Sequence, residues 1–389
     1  MRKHILFILL VSLCCGLPAQ SRPTIYDEDN VPAYTLPDPL ICNDGTKVTT
    51  VKQWENQRRP EIMELFASQE YGRTPEERID VTYETLSEDP TFLNGKATAW
   101  QVKFTFTNGR KSIDAVLLLV LPNSQTGKAP VFISYNFKSN QGTRPDASID
   151  AVIERGYGAA TLSYQDIYPD KPGMEEQSVV SLFASYTATK QSPDRWQALG
   201  VWAWGLSRIA DYLETQERVD ANKLIVMGHS RLGKATLWAG AQDKRFSLVI
   251  SNNSGCGGAA LSKRAYGETV GKITNAFPHW FCPSFANYSD KEADMPFDQH
   301  ELIALIAPRP VYIASAEDDK WADPRGEYLA GYYAGPVYEL YKLKGLDSDS
   351  PPAVNHPVMN TIGYHIRSGG HDVTSYDWMR FMDFADSHL

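Results

Sequence analysis

One short stretch of the sequence has the residue types of a serine nucleophile. Segment 227–235 reads MGHSRLGKA, in which Gly228 precedes Ser230 and Gly233 follows it one residue later than in the hydrolase motif G-x-S-x-G. The apolar run LIVM ends at the start of this segment, and an Ala- and Leu-rich stretch follows at 231–241. A strand, a sharp turn and a helix are the setting in which a serine hydroxyl is raised above a sheet. We therefore predict that Ser230 is a nucleophile; the competing interpretation is a serine that only caps a helix.

Two cations, Arg231 and Lys234, stand in the first turn of the predicted helix. Positive side chains oppose the helix dipole there, by about 0.3–1 kcal/mol each at exposed sites. Their presence beside Ser230 indicates that negative charge develops or binds at this place, as it does in an oxyanion hole. The simpler alternative is a pair of solvated cations that the helix tolerates at small cost.

A nucleophilic serine requires a base, and in α/β-hydrolases the order along the chain is serine, acid, histidine. The last predicted strand, 361–367, is followed by the loop SGGHD, and His371 in that loop is our candidate base. His229 adjoins the serine, so we expect its side chain to project elsewhere from the turn. His365 lies inside the predicted strand, and the remaining histidines lie in loops, at helix edges or near the termini.

The acid is expected to follow a strand between the serine and His371. After the strand predicted at 248–251 the sequence is NNSG, and Asn253 cannot stabilise an imidazolium by charge. The loop after the strand predicted at 311–315 offers four carboxylates, and their positions in the loop do not show which one is the acid: Glu317, Asp318, Asp319 and Asp323.

Apolar periodicity predicts the elements that position these residues. A helix at 54–71 precedes three runs with β character, and from residue 129 onwards strands and helices alternate. Short, wholly apolar strands in such an alternation indicate an α/β fold with a parallel sheet covered on both faces. The predicted strands are 79–86, 97–106, 112–121, 131–135, 159–163, 224–227, 248–251, 311–315 and 361–367, and a long helix is predicted at 195–216.

The chain resembles the glucuronoyl esterases of carbohydrate esterase family 15. The elbow of that family reads G-x-S-R-x-G-K, which is matched here by Gly228, Ser230, Arg231, Gly233 and Lys234. Four further stretches are similar to the bacterial branch of the family: RRPEIMELFASQEYGRTP, SNNSGCGGAALSKR, PHWFCPSF and IAPRPVYIASAEDDKWADPRGE. Together these motifs extend over most of the chain.

The resemblance implies an α/β-hydrolase fold, a three-layer sandwich with a mostly parallel central sheet. It also implies an esterase that hydrolyses the bond between (4-O-methyl-)glucuronic acid side groups of xylan and lignin alcohols. By position, Ser230 is then the nucleophile and His371 the base. Arg231 is expected to contribute its backbone N–H and its guanidinium to the oxyanion hole.

The family pattern also selects an acid. Fungal members carry the acid where Asn253 stands, whereas many bacterial members carry it two residues before a tryptophan, which selects Asp319 here. Glu317 and Asp318 remain the alternatives, and Asp323 is expected to be structural.

Three residues match positions at which the family contacts the sugar: Lys234, Glu268 and Trp321. Each also has a simpler interpretation, respectively a solvated helix lysine, a loop charge and a packing aromatic.

The implied reaction is a double displacement that needs no metal or organic cofactor. A second oxyanion N–H is expected near Asn136 and Phe137, after the strand predicted at 131–135. Two other functions fit parts of the pattern. An acetyl xylan esterase would use the same triad, and a non-catalytic carbohydrate-binding relative is suggested only by Asn253.

Composition bounds the partners and the compartment. The chain has 389 residues, 42% of them hydrophobic, and a net charge of −9, which argues against nucleic acid and anionic membranes as partners. Arg2 and Lys3 precede the apolar run 5–15, and small residues then lead to Ala19. This order predicts a signal peptide and a secreted or periplasmic protein. A membrane anchor would need a longer run, and a lipoprotein site at Cys14 has a bulky residue before it.

The predicted organisation is a signal peptide at 1–19, an extended N-terminal arm at 20–50 and a single α/β-hydrolase catalytic domain at 51–389, acting as a monomer without a membrane span. Three cysteines remain after the signal and allow at most one disulfide: Cys42, Cys256 and Cys282. We expect Cys256 to be a buried small side chain rather than a nucleophile.

Overall fold

The apolar runs of the sequence form the strands of one sheet. The structure, a computed structural model, describes residues 23–138 and 148–389, so the predicted signal peptide lies outside the described residues. Strands β1 to β10 are Asp80–Asp89, Ala97–Thr107, Ser112–Pro122, Ala129–Asn136, Gly158–Ser163, Val219–His229, Phe246–Asn252, Val311–Ala316, Val358–Met359 and Ile362–Arg367. Every predicted strand coincides with one of them, and the two-residue β9 has no counterpart among the predictions.

The ten-stranded sheet has the order β1-β2-β3-β5-β4-β6-β7-β8-β10-β9. Its centre is parallel, from β5 through β4, β6, β7 and β8 to β10. Antiparallel pairs lie at the edges, where β1, β2 and β3 join β5 and where β9 pairs with β10. The prediction of a mostly parallel central sheet is therefore confirmed.

Helices cover both faces of the sheet. Helices α1 to α11 are Val51–Gln53, Arg59–Phe66, Ser148–Glu154, Tyr164–Ile167, Ala184–Thr189, Ala198–Leu213, Arg231–Gln242, Val270–Ala276, Gln299–Ala304, Pro324–Leu340 and Ser375–His388. Successive strand side chains point to opposite faces. In β6, Ile225 and Met227 accordingly pack in the core under α3 and α11, whereas Leu224 and Val226 face the larger core that contains α6 and α7. The three-layer α/β-hydrolase arrangement follows from this alternation.

Two predicted helices differ from the observed ones at their ends. The helix predicted at 54–71 is a continuous helical stretch in which the π-helical segments Trp54–Arg58 and Ala67–Tyr71 flank α2. It ends at Gly72, whose φ is +85° and whose position leaves no space for a side chain, because a Cβ would lie 2.4 Å from the Arg195 carbonyl. The helix predicted at 195–216 is the shorter α6.

Residues 23–50, within the predicted arm, run along the surface of the α/β sheet domain. Gly267 N donates to Ile25 O at 2.9 Å, and Arg264 pairs with Glu28 at 2.7 Å. His300 Nε2 lies 2.9 Å from Pro37 O. The segment is thus held through backbone groups and through the Glu28 carboxylate, which also lies 3.6 Å from Arg325 Nη1.

The three cysteines among the described residues are free and buried, so none of them forms a disulfide. Cys256 is 3% exposed, which confirms its prediction as a buried small side chain. In the ranges 23–138 and 148–389, no helix is long and apolar enough to cross a membrane.

Candidate active site

Ser230 lies in a sharp turn between β6 and α7. Its φ and ψ are 58° and −128°, a conformation that costs a non-glycine residue about 1–3 kcal/mol and persists only where the surroundings impose it. Here Ser230 N donates to Asn252 O at 2.9 Å, and Ser230 O accepts from Gly233 N at 2.9 Å. The turn thus places the serine at the carboxyl end of a central parallel strand, where α/β-hydrolases present their nucleophile.

The two glycines of the elbow both lie in close contact with neighbouring atoms. A Cβ on Gly228 would lie 2.2 Å from the Leu232 carbonyl oxygen, which excludes any side chain. A Cβ on Gly233 would lie 3.0 Å from both Gly228 O and Ser254 Cβ. The late glycine therefore serves close packing of the first turn of α7 against the loop after β7, and Leu232 is buried in the core.

A hydrogen-bonded chain joins Ser230, His371 and Asp319. His371 Nε2 lies 2.9 Å from Ser230 Oγ, and His371 Nδ1 lies 2.6 Å from Asp319 Oδ2. Asp319 follows β8 and His371 follows β10, so neighbouring parallel strands bring both loops to the elbow. His371 is 45% exposed whereas Asp319 is 6% exposed, so the carboxylate is shielded and the imidazole faces the solvent side.

The other three carboxylates of the loop lie outside this chain. Glu317 and Asp318 are exposed. Asp323 is buried, caps α10 by accepting from Gly326 N at 3.0 Å, and pairs with Arg264 at 2.8 Å. The geometry therefore brings Asp319, and not its neighbours, to the imidazole.

Asn253 contacts the same carboxylate. Its Nδ2 donates to Asp319 Oδ2 at 2.9 Å, and its backbone N donates to Ala314 O at 2.7 Å. Burial raises the pKa of Asp319, but hydrogen bonds from His371 and Asn253 outweigh it and hold that pKa below its usual range. From the sequence, Asn253 is only a residue unable to serve as the acid; in the structure it stabilises the charged form of Asp319.

His229 packs beside His371, although we expected its side chain to project elsewhere from the turn. The two ring centroids are 4.6 Å apart, and His229 Nδ1 lies 2.6 Å from Asn252 Oδ1. Burial and the charge of His371 lower the pKa of His229 to about 4. The ring is therefore a neutral neighbour of the imidazole at near-neutral pH. The expectation was wrong because the fixed elbow turns the side chain of β6's last residue towards the loop after β10.

The side chain of Arg231 is held by an acidic residue that the sequence did not identify. Arg231 Nη1 pairs with Asp170 Oδ2, and its guanidinium lies 4.8 Å from the Trp280 ring centroid and 5.7 Å from that of Phe277. Asp170 lies in the long connection after β5 and is 61 residues away from Arg231. No local pattern marks it, although the stretch PHWFCPSF contains its partners His279 and Trp280.

Lys234 is buried rather than solvated. Its Nζ donates to Ser254 O at 2.5 Å and to Cys256 O at 2.6 Å, and lies 3.9 Å from Glu268 Oε2. The ammonium thus fastens the loop after β7 from below the elbow.

Glu268 and Trp321 lie together near this ammonium. Glu268 N donates to Trp321 O at 3.0 Å. Burial raises the pKa of the Glu268 carboxyl, against the opposing charge of Lys234. The Trp321 side chain is 43% exposed, so its ring is available to a ligand, and Lys272 Nζ lies 5.8 Å from the ring centroid. The structure therefore brings together all three residues predicted to contact the sugar.

The expected second oxyanion donor falls at the edge of the described residues. β4 ends at Asn136, and the exposed Phe137 ring lies 6.4 Å from the His229 ring. Residues 139–147 lie outside the described residues. Among the described residues, no group of three or more His, Cys, Asp or Glu side chains could hold a metal ion.

The fold and the elbow define a hydrolase of the α/β class. A family model described as "Glucuronyl esterase, fungi" matches residues 104–341. A carbohydrate esterase, MZ0003, from an unknown prokaryotic organism is 42% identical over 427 residues, which cover 100% of this chain and 98% of that protein. The 4-O-methyl-glucuronoyl methylesterase 1 of Wolfiporia cocos is 31% identical over 85% of this chain and 80% of its own length.

Solved structures agree with the sequence comparisons. A glucuronoyl esterase from Solibacter usitatus has a TM-score of 0.86 and 40% identity, covering 93% of this chain and 100% of that one. The chain belongs to the glucuronoyl esterase family, carbohydrate esterase family 15, and is a carboxylic ester hydrolase.

Proposed function

We propose that this chain is a serine esterase that cleaves the ester between (4-O-methyl-)glucuronic acid side groups of xylan and lignin alcohols. The observation that carries the proposal is the hydrogen-bonded chain from Ser230 through His371 to Asp319, with Lys234, Glu268 and Trp321 gathered nearby. Relatives named 4-O-methyl-glucuronoyl methylesterases support hydrolysis of glucuronic esters.

In the proposed mechanism, His371 Nε2 takes the proton of Ser230 as Oγ attacks the ester carbonyl at C6 of the glucuronic acid. Asp319 stabilises the imidazolium that forms. The tetrahedral oxyanion is stabilised by the Arg231 backbone N–H and guanidinium and by an N–H near Asn136. His371 then protonates the departing alcohol, and water, activated by the same imidazole, releases glucuronate and restores Ser230. The groups that act in these steps are side chains, backbone N–H groups and water.

The surroundings of the triad favour a uronate over an acetyl group. An acetyl ester needs only the triad and the oxyanion hole. In an acetyl ester the acyl part is only a methyl group, so the exposed face of Trp321 and the buried Glu268 carboxyl would have no sugar to contact on the acyl side. Aromatic faces and carboxylates are suitable partners for the ring and the hydroxyl groups of a sugar.

The test compares turnover of benzyl glucuronate and of acetylated xylan by the wild-type chain and by Trp321→Ala. We expect benzyl glucuronate to be the better substrate and the substitution to reduce kcat/KM on it at least tenfold, with little effect on acetyl release. Trp321 is a cleaner choice than Lys234, because Lys234 also fastens the loop after β7. Preferential release of acetate would make the chain an acetyl xylan esterase, and binding of either substrate without turnover would make it a non-catalytic relative.

We also propose that the chain is exported, with a signal peptide at 1–19, an arm at 20–50 and a catalytic domain at 51–389 that acts as a monomer. The charged, apolar, small-residue order of the N-terminus supports the signal, and the contacts of Ile25 and Glu28 support an arm fastened to the domain. Sequencing the N-terminus of the exported protein tests the cleavage site.

A further inference from the structure

One buried carboxylate gathers donors from three parts of the chain. Asp170 Oδ2 accepts from Arg231 Nη1 and, at 3.1 Å, from Tyr164 OH. Asp170 Oδ1 accepts from Trp280 Nε1 at 2.8 Å and lies 2.8 Å from His279 Nε2. Its side chain is only 8% exposed. Both oxygens of the carboxylate are thus engaged, and the group is fixed in position.

Asp170 is also the anchor of the Arg231 guanidinium. Among the residues that the structure describes, Asp170 is the only ion-pair partner of Arg231. The Arg231 Nε is buried without a hydrogen-bond partner. Trp280, which donates to Asp170, also lies under the guanidinium, so the same residue supports both members of the pair. The guanidinium is therefore restrained by a carboxylate at one edge and by an aromatic face.

The carboxylate keeps its charge despite its burial. Burial alone would raise the pKa of Asp170, but hydrogen bonds from His279 and Trp280 and the charge of Arg231 outweigh it, and the pKa lies below its usual range. A permanent anion weakens the net field of the guanidinium. The same anion fixes the direction of the guanidinium N–H groups that do not contact it. Donors that are fixed before the reaction stabilise a developing charge without having to reorganise.

We propose that Asp170 is the positioning residue of the oxyanion hole, holding the Arg231 guanidinium where negative charge develops on the ester oxygen. This inference rests on the proposed roles of Ser230 and Arg231. It assigns a function in the reaction to the connection after β5. It also explains why two cations are tolerated in the first turn of α7. Arg231 is neutralised by Asp170, whereas Lys234 donates to the carbonyls of Ser254 and Cys256 and lies 3.9 Å from the Glu268 carboxyl.

The test is a double-mutant cycle with Asp170→Asn and Arg231→Ala, measured as kcat and KM. In the Asn variant one oxygen can still accept from the Trp280 side, while the amide NH₂ faces Arg231 and repels its donors. Loss of one oxyanion donor lowers kcat by about 10²–10³-fold, so a misplaced one is expected to lower it by about 10–100-fold with KM changed much less. In the Arg231→Ala background, Asp170→Asn is expected to have no further effect.

A merely structural role gives a different result. If Asp170 only supports the loop with Trp280, its substitution lowers kcat by the same factor in both backgrounds, which overturns the proposal. An unchanged kcat in the single variant also overturns it. Asp211→Asn is the matched control, because it also removes the charge of an arginine-paired carboxylate. Asp211 pairs at 2.7 Å with Arg245, which directly precedes β7 and so lies at the ends of the parallel strands that are opposite the elbow. This substitution is expected to leave kcat unchanged.

Folding and substrate are controlled separately. Thermal unfolding verifies that each variant is folded. If Asp170→Asn does not fold, Asp170→Glu replaces it in the cycle. The Glu variant keeps the negative charge but displaces it by one methylene group. The cycle is run on both methyl glucuronate and 4-nitrophenyl acetate. A wild-type chain active only on the acetate refutes the proposed substrate while leaving the Asp170 test intact, and a chain inactive on both overturns both proposals.

Discussion

His371 Nδ1 lies 2.6 Å from Asp319 Oδ2, so the carboxylate beside the imidazole comes from the loop after β8 and not from the loop after β7. The β7 loop instead supplies Asn253, whose amide donates to the same oxygen. The loop after β8 thus supplies the carboxylate that contacts the imidazole, and the loop after β7 supplies a neutral donor to that carboxylate.

Asp319→Asn is expected to lower kcat by about 10⁴-fold, because an amide neither stabilises the imidazolium by charge nor fixes the tautomer of His371. Initial rates on methyl glucuronate measure the effect. The matched controls, Glu317→Gln and Asp318→Asn, remove exposed carboxylates from the same loop and are expected to retain activity close to that of the wild type. A larger loss in either control than in Asp319→Asn would move the acid to that residue.

Asn253→Ala is expected to have a smaller effect, lowering kcat by about 3–10-fold. It removes one hydrogen bond to the charged form of Asp319, a contribution of about 1.5–3 kcal/mol at most, while the carboxylate keeps its bond to His371. The readout is kcat together with its pH profile, since the pKa of Asp319 rises when a donor to it is lost. If the loss equals that of Asp319→Asn, Asn253 does more than support the acid.

Acidification is expected to destabilise the fold through buried histidines. Burial lowers the pKa of His300, and of His229, to about 4, against an ordinary value of 6.5. The unfolded chain therefore binds more protons between these values. The stability that the neutral rings contribute is complete above about pH 6.5 and falls as the pH drops towards 4.

The measurement is urea unfolding of the wild type and of His300→Gln at several pH values in this window. Because one proton corresponds to about 1.4 kcal/mol per pH unit, the variant is expected to have a shallower slope by up to that amount. Equal slopes in the two proteins would show that His300 does not contribute to the acid sensitivity.

Lys234→Met is expected to destabilise the protein by about 2–4 kcal/mol. It leaves the carbonyls of Ser254 and Cys256 without their buried donor and Glu268 without its cation. Lys244→Met is the control, because that lysine is 63% exposed and its pair with Glu55 contributes only about 0–1 kcal/mol. Denaturant titration gives the free energy of unfolding of each variant. Similar losses in the two variants would mean that Lys234 contributes no more to stability than an exposed lysine.

Much of the fold follows from local sequence. Strands such as Val311–Ala316 and Ala97–Thr107 were predicted to within a residue at each end. Their apolar residues are contiguous or closely spaced in the sequence, and burying them in a covered sheet requires an extended segment of that length. Ends were less accurate where long-range contacts decide them. The helix predicted from residue 195 begins at Ala198, whose N–H donates to the His279 carbonyl from a distant loop.

The residues of the candidate site also differ in how far local sequence predicts them. Ser230 could be predicted as the candidate nucleophile because strand, turn and helix are contiguous in sequence. The choice of Asp319 among four carboxylates required the family pattern, since spacing alone does not reveal which loop residue reaches an imidazole 52 positions away. Asp170 could not be predicted, because its contacts with Arg231, His279 and Trp280 arise only when separate connections fold over one edge of the sheet.

The most direct test of the proposed mechanism is hydrolysis of benzyl glucuronate by the wild-type chain and by Ser230→Ala. We expect the variant to fold normally, to bind the ester and to lose at least about 10³-fold in kcat, as when a triad nucleophile is removed. Substantial turnover by folded Ser230→Ala would contradict the assignment of the nucleophile and, with it, the proposed mechanism.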